Sequence, residues 1–162
     1  MVLGSAWAMA QPYAPLVARI RVETTIDAPP EAVWAAIDDV RTHPRWMEDA
    51  VAVRVTSSTS AGVGTTFDCD TKVGPFRLTD KMAITRWDDA VAMGVRHVGL
   101  VAGEGEFVLT ALGNDRTRFT WTEELRFPLW MGGRLGAGAG APVLRHIWRR
   151  NLANLKALVE SR

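Results

Sequence analysis

Apolar positions along this chain change period twice. Ile20, Val22 and Ile26, with Thr24 between them, fall on every second residue of "ARIRVETTI" and predict a strand with one buried face. After "DAPP", Val33, Ile37 and Val40 recur at helical spacing. Pro29 and Pro30 mark the change, at boundary and first-turn positions where a missing N–H costs little; Asp27 or Ala28 is the expected N-cap, and Glu31 sits near the positive end of the helix dipole. The helix is expected to reach Asp39. Pro44 then biases His43 away from helix, so a second short helix over 44–49 should follow a kink.

From Ala50 to Phe127 the pattern alternates. "VAVRVTS", "GTTFDCDTKV", "FRLTDKMAITRW", "VAMGVRHV", "GEGEFVLTAL" and "RTRFTWTEELRF" are strand-like runs separated by turn-forming stretches, including Gly74-Pro75 and Gly113-Asn114-Asp115. Short connections of this kind predict an antiparallel meander of six strands. The last segment returns to helical period: Leu144, Ile147, Trp148, Leu152, Leu155, Leu158 and Val159 form one stripe, with Arg145, Arg149, Arg150 and Lys156 largely off it. With Pro142 opening the regular part, the helix would be about 28 Å long, enough to cross a sheet face. The preceding glycine-rich stretch, 131–141, reads as a frayed first turn or a mobile flap.

Composition narrows the class. A chain of 162 residues, 48% hydrophobic and 23% charged, suits one domain, placed at 16–162 behind a flexible N-terminal tail, 1–15. A net charge of +1 offers no strong field, so nucleic acid is not an expected partner. No run approaches the ~20 apolar residues of a membrane span, which argues against an integral membrane segment. Ala8-Met9-Ala10 precedes Gln11 much as in a signal cleavage site, but no basic region precedes it. Cys69 is the sole cysteine, which rules out an intrachain disulfide and makes the cytoplasm the expected compartment, with a monomer or homodimer as the expected assembly.

The element order, strand, two small helices, six strands and a long helix, predicts an α+β fold. The segments "TIDAPPEAVWAAIDDVRTHPRWMEDAV", "GVGTTF", "ITRWDD", "RTRFTWTEEL" and "LRHIWRRNLANLKALVE" resemble, in that order, the helix-grip fold of the START and birch pollen allergen superfamily, and most closely its polyketide cyclase/dehydrase-like bacterial branch. The resemblance spans roughly residues 17 to 160. It implies a curved seven-stranded antiparallel sheet around the C-terminal helix, a cavity between them, a small hydrophobic or amphipathic ligand and no obligatory cofactor. It does not imply one reaction, because the fold carries both binders and enzymes.

Alternation selects the side chains that would line such a cavity. Phe67, Cys69, Thr71 and Val73 share one face; Phe76, Leu78, Asp80, Met82 and Ile84 share the next; then come Val91, Met93, Val95 and His97. Phe107 and Leu109, and Phe119, Trp121, Glu123 and Leu125, follow the same rule. Trp46, Leu144 and Trp148 join the expected lining from the helices. Asp80, His97 and Glu123 thereby fall on an otherwise apolar face, which makes them the candidate acid–base group. The plainer reading has them bonding one another, or reaching solvent at strand ends.

Other chemistries find no support. His43, His97 and His146 form no close-spaced ligand motif, so no metal is expected, and "GAGAGAP" lacks the Lys-Ser/Thr of a phosphate loop. A single cysteine excludes a Rieske cluster, and no GxSxG occurs. Three functions remain: a carrier or binding protein for a lipid-, steroid- or polyketide-like molecule; a cyclase/dehydrase using Asp80, His97 and Glu123; or an interaction module of the ribosome- or quinone-associated branch, using the basic helix face around "RHIWRR".

Overall fold

The structure is a computed structural model and describes residues 17–126 and 133–162, with side chains of the last segment described from residue 140 onward. The expected tail, 1–15, lies outside these residues. In chain order the elements are β1 (Val17–Ile26), α1 (Pro30–Ile37), a 3₁₀ helix (Val40–Arg45), β2 (Ala50–Val55), β3 (Thr66–Val73), β4 (Phe76–Asp88), β5 (Ala92–Val98), β6 (Ala102–Gly113), β7 (Arg116–Arg126) and α2 (Gly133–Glu160). The seven strands form one antiparallel sheet in the order β1-β7-β6-β5-β4-β3-β2, so the predicted meander is intact and β1 closes its far edge against β7. The hairpin from β6 to β7 turns at Asn114 and Asp115, whose φ values of 52° and 53° supply the left-handed pair that a tight type I′ turn requires.

Helix α2 packs along the sheet beside β1, and its apolar stripe joins the inward strand residues in a single core. Trp148, Leu152, Leu155 and Val159 are buried in that core with Ile20, Val22, Phe107, Phe119 and Trp121. The C-terminal end of the helix is pinned by polar contacts: Lys156 donates to the Thr25 carbonyl at 2.7 Å, and Glu160 accepts the Asp27 backbone N–H at 2.7 Å.

Several local expectations are corrected. The N-cap of α1 is Pro29 in extended conformation, with no side-chain cap: its carbonyl accepts the first helical N–H groups, those of Ala32 and Val33, at 3.0 and 3.2 Å. The second small helix is a 3₁₀ helix over Val40–Arg45 rather than a helix over 44–49; Asp39 caps it by accepting the Arg41 N–H, and Pro44 is accommodated inside at the loss of one N–H donor, with the His43 carbonyl taking the Trp46 N–H beyond it at 3.1 Å. Helix α2 begins at Gly133, so Pro142 lies within it and the backbone of 133–141 is helical, not a flap. Its 28 residues give roughly 42 Å. Two expected inward side chains face solvent instead. Phe76 stands at the β3–β4 turn, 69% exposed, and Val91 belongs to the turn before β5, where its N–H bonds the Asp88 carbonyl at 2.9 Å.

Simple alternation also fails once inside β4. The pairing passes from Ile84↔Val95 to Arg86↔Gly94, leaving Thr85 as an extra residue in a bulge. Beyond the bulge the inward position shifts by one, and Trp87 comes to lie opposite Met93, edge-on to the buried Trp34 at 5.2 Å.

Candidate functional site

Asp80, His97 and Glu123 come from three different strands, β4, β5 and β7, and the sheet register brings them into contact. His97 lies opposite Met82, so Asp80 is its diagonal neighbour on the same face; the His97 Nδ1 to Asp80 Oδ2 distance is 2.7 Å. Glu123 is two strands away, with β6 between, a separation of about 10 Å at ordinary strand spacing. It reaches His97 because β6 is bare there. The inward β6 positions opposite His97 and Glu123 are Gly103 and Gly105, and the Glu123 side chain lies across this stripped backbone to place Oε2 3.1 Å from His97 Nε2. A methyl group at 105 would sit 2.2 Å from Glu123 Oε1, and one at 103 would strike the Glu124 carbonyl. Trp121, two residues before Glu123 on the same face, donates its indole N–H to Glu123 Oε1 at 2.9 Å.

All three members are buried. Burial pulls the His97 pKa down, but hydrogen bonds and charge from Asp80 and Glu123 together outweigh it and raise the value to about 10. At neutral pH the ring is therefore an imidazolium that donates from both nitrogens, one to each carboxylate. Asp80 Oδ1, in contrast, is buried and has no hydrogen-bond partner.

Above the trio stands an aromatic wall. Trp121 stacks on Trp148 of α2 with centroids 4.6 Å apart and planes at 18°, and meets Phe107 edge-on at 5.2 Å. Trp46 contacts both Phe107 and Trp121, fully buried, with its own indole N–H unpartnered. Phe67, Cys69, Met93 and Leu109 are buried as alternation predicts, whereas Leu78, Met82, Val95 and Leu144 are half-buried against the same core. Burial pushes the Cys69 thiol up to about 11, which leaves it a protonated, unreactive core side chain.

Two surface concavities flank this interior. One, of about 350 Å³, is lined by Val51, Asp70, Thr71, Arg77, Leu78 and Thr79 and touches no member of the trio. The other, of about 340 Å³, lies where β1, β5, β6 and β7 end, among Val17, Arg96, Ala102 and Arg126, and it reaches His97 past Gly103. Of these two, the second alone is lined by a member of the trio, His97.

A second polar cluster shares only Trp148 with the expected site residues. Asn151 of α2 accepts the Glu48 N–H at 2.9 Å and donates to Asp49 Oδ1 at 2.6 Å, while the Trp148 indole N–H donates to Asp49 Oδ2 at 3.3 Å. Burial raises the Asp49 pKa against the lowering effect of these bonds. Its one signal in the sequence is an asparagine set within an apolar helical stripe. His43 is also buried, its Nε2 donating to the Ile37 carbonyl at 2.8 Å; desolvation lowers its pKa to about 4, so it is a neutral structural ring against Trp46 and Phe107. Among the described residues no group of side chains is arranged to hold a metal ion, and no helix is long and apolar enough to cross a membrane.

Comparison with known proteins agrees with this architecture. The structure is similar to the TTHA0849 protein of Thermus thermophilus (21% identity, TM-score 0.71, 88% of this chain and 97% of that one). It is similar also to the Zhui aromatase/cyclase of Streptomyces sp. R1128 (18%, 0.71, 91% and 96%) and to a START superfamily protein of Mycobacterium smegmatis (12%, 0.74, 88% and 97%). At these identities the likeness establishes the helix-grip fold. No curated protein matches the chain. A family described as polyketide cyclase / dehydrase and lipid transport matches residues 17–160, so nearly the whole chain is accounted for and it belongs to that family.

Proposed function

We propose that the protein binds a small hydrophobic or amphipathic molecule, lipid-, steroid- or polyketide-like, between the concave sheet face and α2, as a carrier or binding protein. The observation that carries this reading is a buried polar group set at the foot of an aromatic wall: Asp80, His97 and Glu123 below Trp121, Trp148, Phe107 and Trp46. An apolar enclosure with a few convergent polar atoms is the usual form of a small-molecule site, with area burial supplying affinity and the polar group fixing orientation. Native mass spectrometry of freshly purified protein, followed by solvent extraction, tests it. A co-purified hydrophobic compound near one per chain is expected; a clean mass that stays unliganded against a panel of lipids and polyketides would sink the proposal.

A cyclase/dehydrase activity is a second reading, favoured by the presence of ionised acid–base groups in an apolar setting. Enolisation of a poly-ketone by such a group would gain ~10² to 10⁴ in rate. Under this reading Glu123→Gln and His97→Gln abolish turnover while an apolar ligand still binds; under the carrier reading there is no turnover to lose.

A further inference from the structure

We infer that this site selects ligands whose polar end donates a hydrogen bond, a hydroxyl or an ammonium, and that the receiving atom is Asp80 Oδ1. The inference rests on the binding reading above and adds a ligand class to it.

The trio has four carboxylate oxygens. His97 occupies Asp80 Oδ2 and Glu123 Oε2, and the Trp121 indole occupies Glu123 Oε1. Asp80 Oδ1 is left over, on a residue only 7% exposed. A buried carboxylate oxygen without a donor forfeits its hydration with nothing in return, and folded proteins seldom leave one without a reason. Gly99, in the turn after β5, lies beside this atom and presents no side chain of its own to it; a methyl group there would make ordinary contact, 3.7 Å from Oδ1.

Charge points the same way. One imidazolium against two carboxylates leaves a single negative charge in a buried apolar setting, which attracts an ammonium, accepts from a hydroxyl and repels a carboxylate or phosphate. His97 is excluded as the ligand contact because both of its N–H groups are committed. It is a positioning residue that aims Asp80 and balances part of its charge, and Glu123 with Trp121 holds His97 from the other side.

Three probes with the same chain separate the possibilities: dodecylamine, 1-dodecanol and dodecanoic acid, each below its micellar concentration, measured by calorimetry at pH 7.5. The amine and the alcohol are expected to bind at least ten-fold more tightly than the acid. In Asp80→Asn the amide can keep its oxygen on His97 and turn its NH₂ toward the ligand, so the order should reverse in favour of the acid. Equal binding of the three probes by the wild-type protein, or preference for the acid, overturns the inference and leaves the binding reading standing. Binding of none overturns both. Should Asp80→Asn not fold, ¹⁵N spectra of the wild-type imidazole give an independent answer. Both His97 nitrogens should be protonated at pH 7.5 and remain so with dodecylamine bound, whereas a bare ring nitrogen would overturn the assignment.

Discussion

Any side chain at an inward position of β6 between His97 and Glu123 would separate them, so the acid–base group depends on the two glycines of "GEGEF" as much as on its own members. In Gly105→Ala the new methyl would stand 2.2–2.4 Å from the three carboxyl atoms of Glu123, a clash relieved most cheaply by swinging that carboxylate off His97. A lost hydrogen bond to a charged group is worth ~1.5–3 kcal/mol, and we expect a loss of stability of that order in urea. The His97 pKa should fall as well, because one of its two raising partners departs. An NMR titration checks this; an unchanged His97 pKa would show that Glu123 still reaches across. Alternation in the sequence is enough to put Asp80, His97 and Glu123 on one face. It does not show that they touch, since the contact between β5 and β7 is made through a gap in an intervening strand, and glycine reads in sequence as a weak strand former rather than as room for a neighbour.

Between elements, the junction of α2 with the segment entering β2 is set by one asparagine. Asn151 is fully buried, and its amide satisfies a backbone N–H at Glu48 and a carboxylate oxygen at Asp49 together. Asn151→Leu would preserve the volume and strand both partners, with an expected cost of ~2–4 kcal/mol in urea unfolding. Asn154→Ala, three residues on at an exposed position with longer bonds of 3.2 and 3.4 Å, should cost no more than ~0.5 kcal/mol. Equal effects at the two positions would refute the assignment. Elements with a clean period are the legible ones: the strands and the apolar stripe of α2 lie where hydrophobic spacing puts them. Departures arise where one residue type has two uses. Pro142 reads as a helix start yet lies inside α2, Pro44 reads as a break yet sits within a 3₁₀ helix, and Asn151 stands out in an apolar stripe without revealing its partners, which are about a hundred residues away in sequence.

For the molecule as a whole, two buried histidines of opposite character should shape stability against pH. His97 has its pKa raised from 6.5 to about 10, so between those values the native state binds more protons than the unfolded chain. Its contribution is complete below pH 6.5 and is lost as pH rises toward 10. His43 has its pKa lowered from 6.5 to about 4, so the unfolded chain binds more protons across that interval; its neutral burial is fully favourable above 6.5 and is lost as pH falls toward 4. Cys69, raised from 9.0 to about 11, costs stability only above pH 9, where the unfolded thiol ionises and the folded one resists, so it steepens the decline there. These groups therefore place maximum stability near pH 6.5, with a decline on both sides. Urea unfolding at intervals from pH 5 to 9 measures it. In His97→Gln the fall between 6.5 and 9 should flatten while stability at pH 6.5 drops, because the two carboxylates then face each other without a cation between them. If the wild-type protein instead held constant or gained stability over that range, the imidazolium bridge from Asp80 to Glu123 would not exist in solution, and the donor selectivity argued from it would lose its foundation.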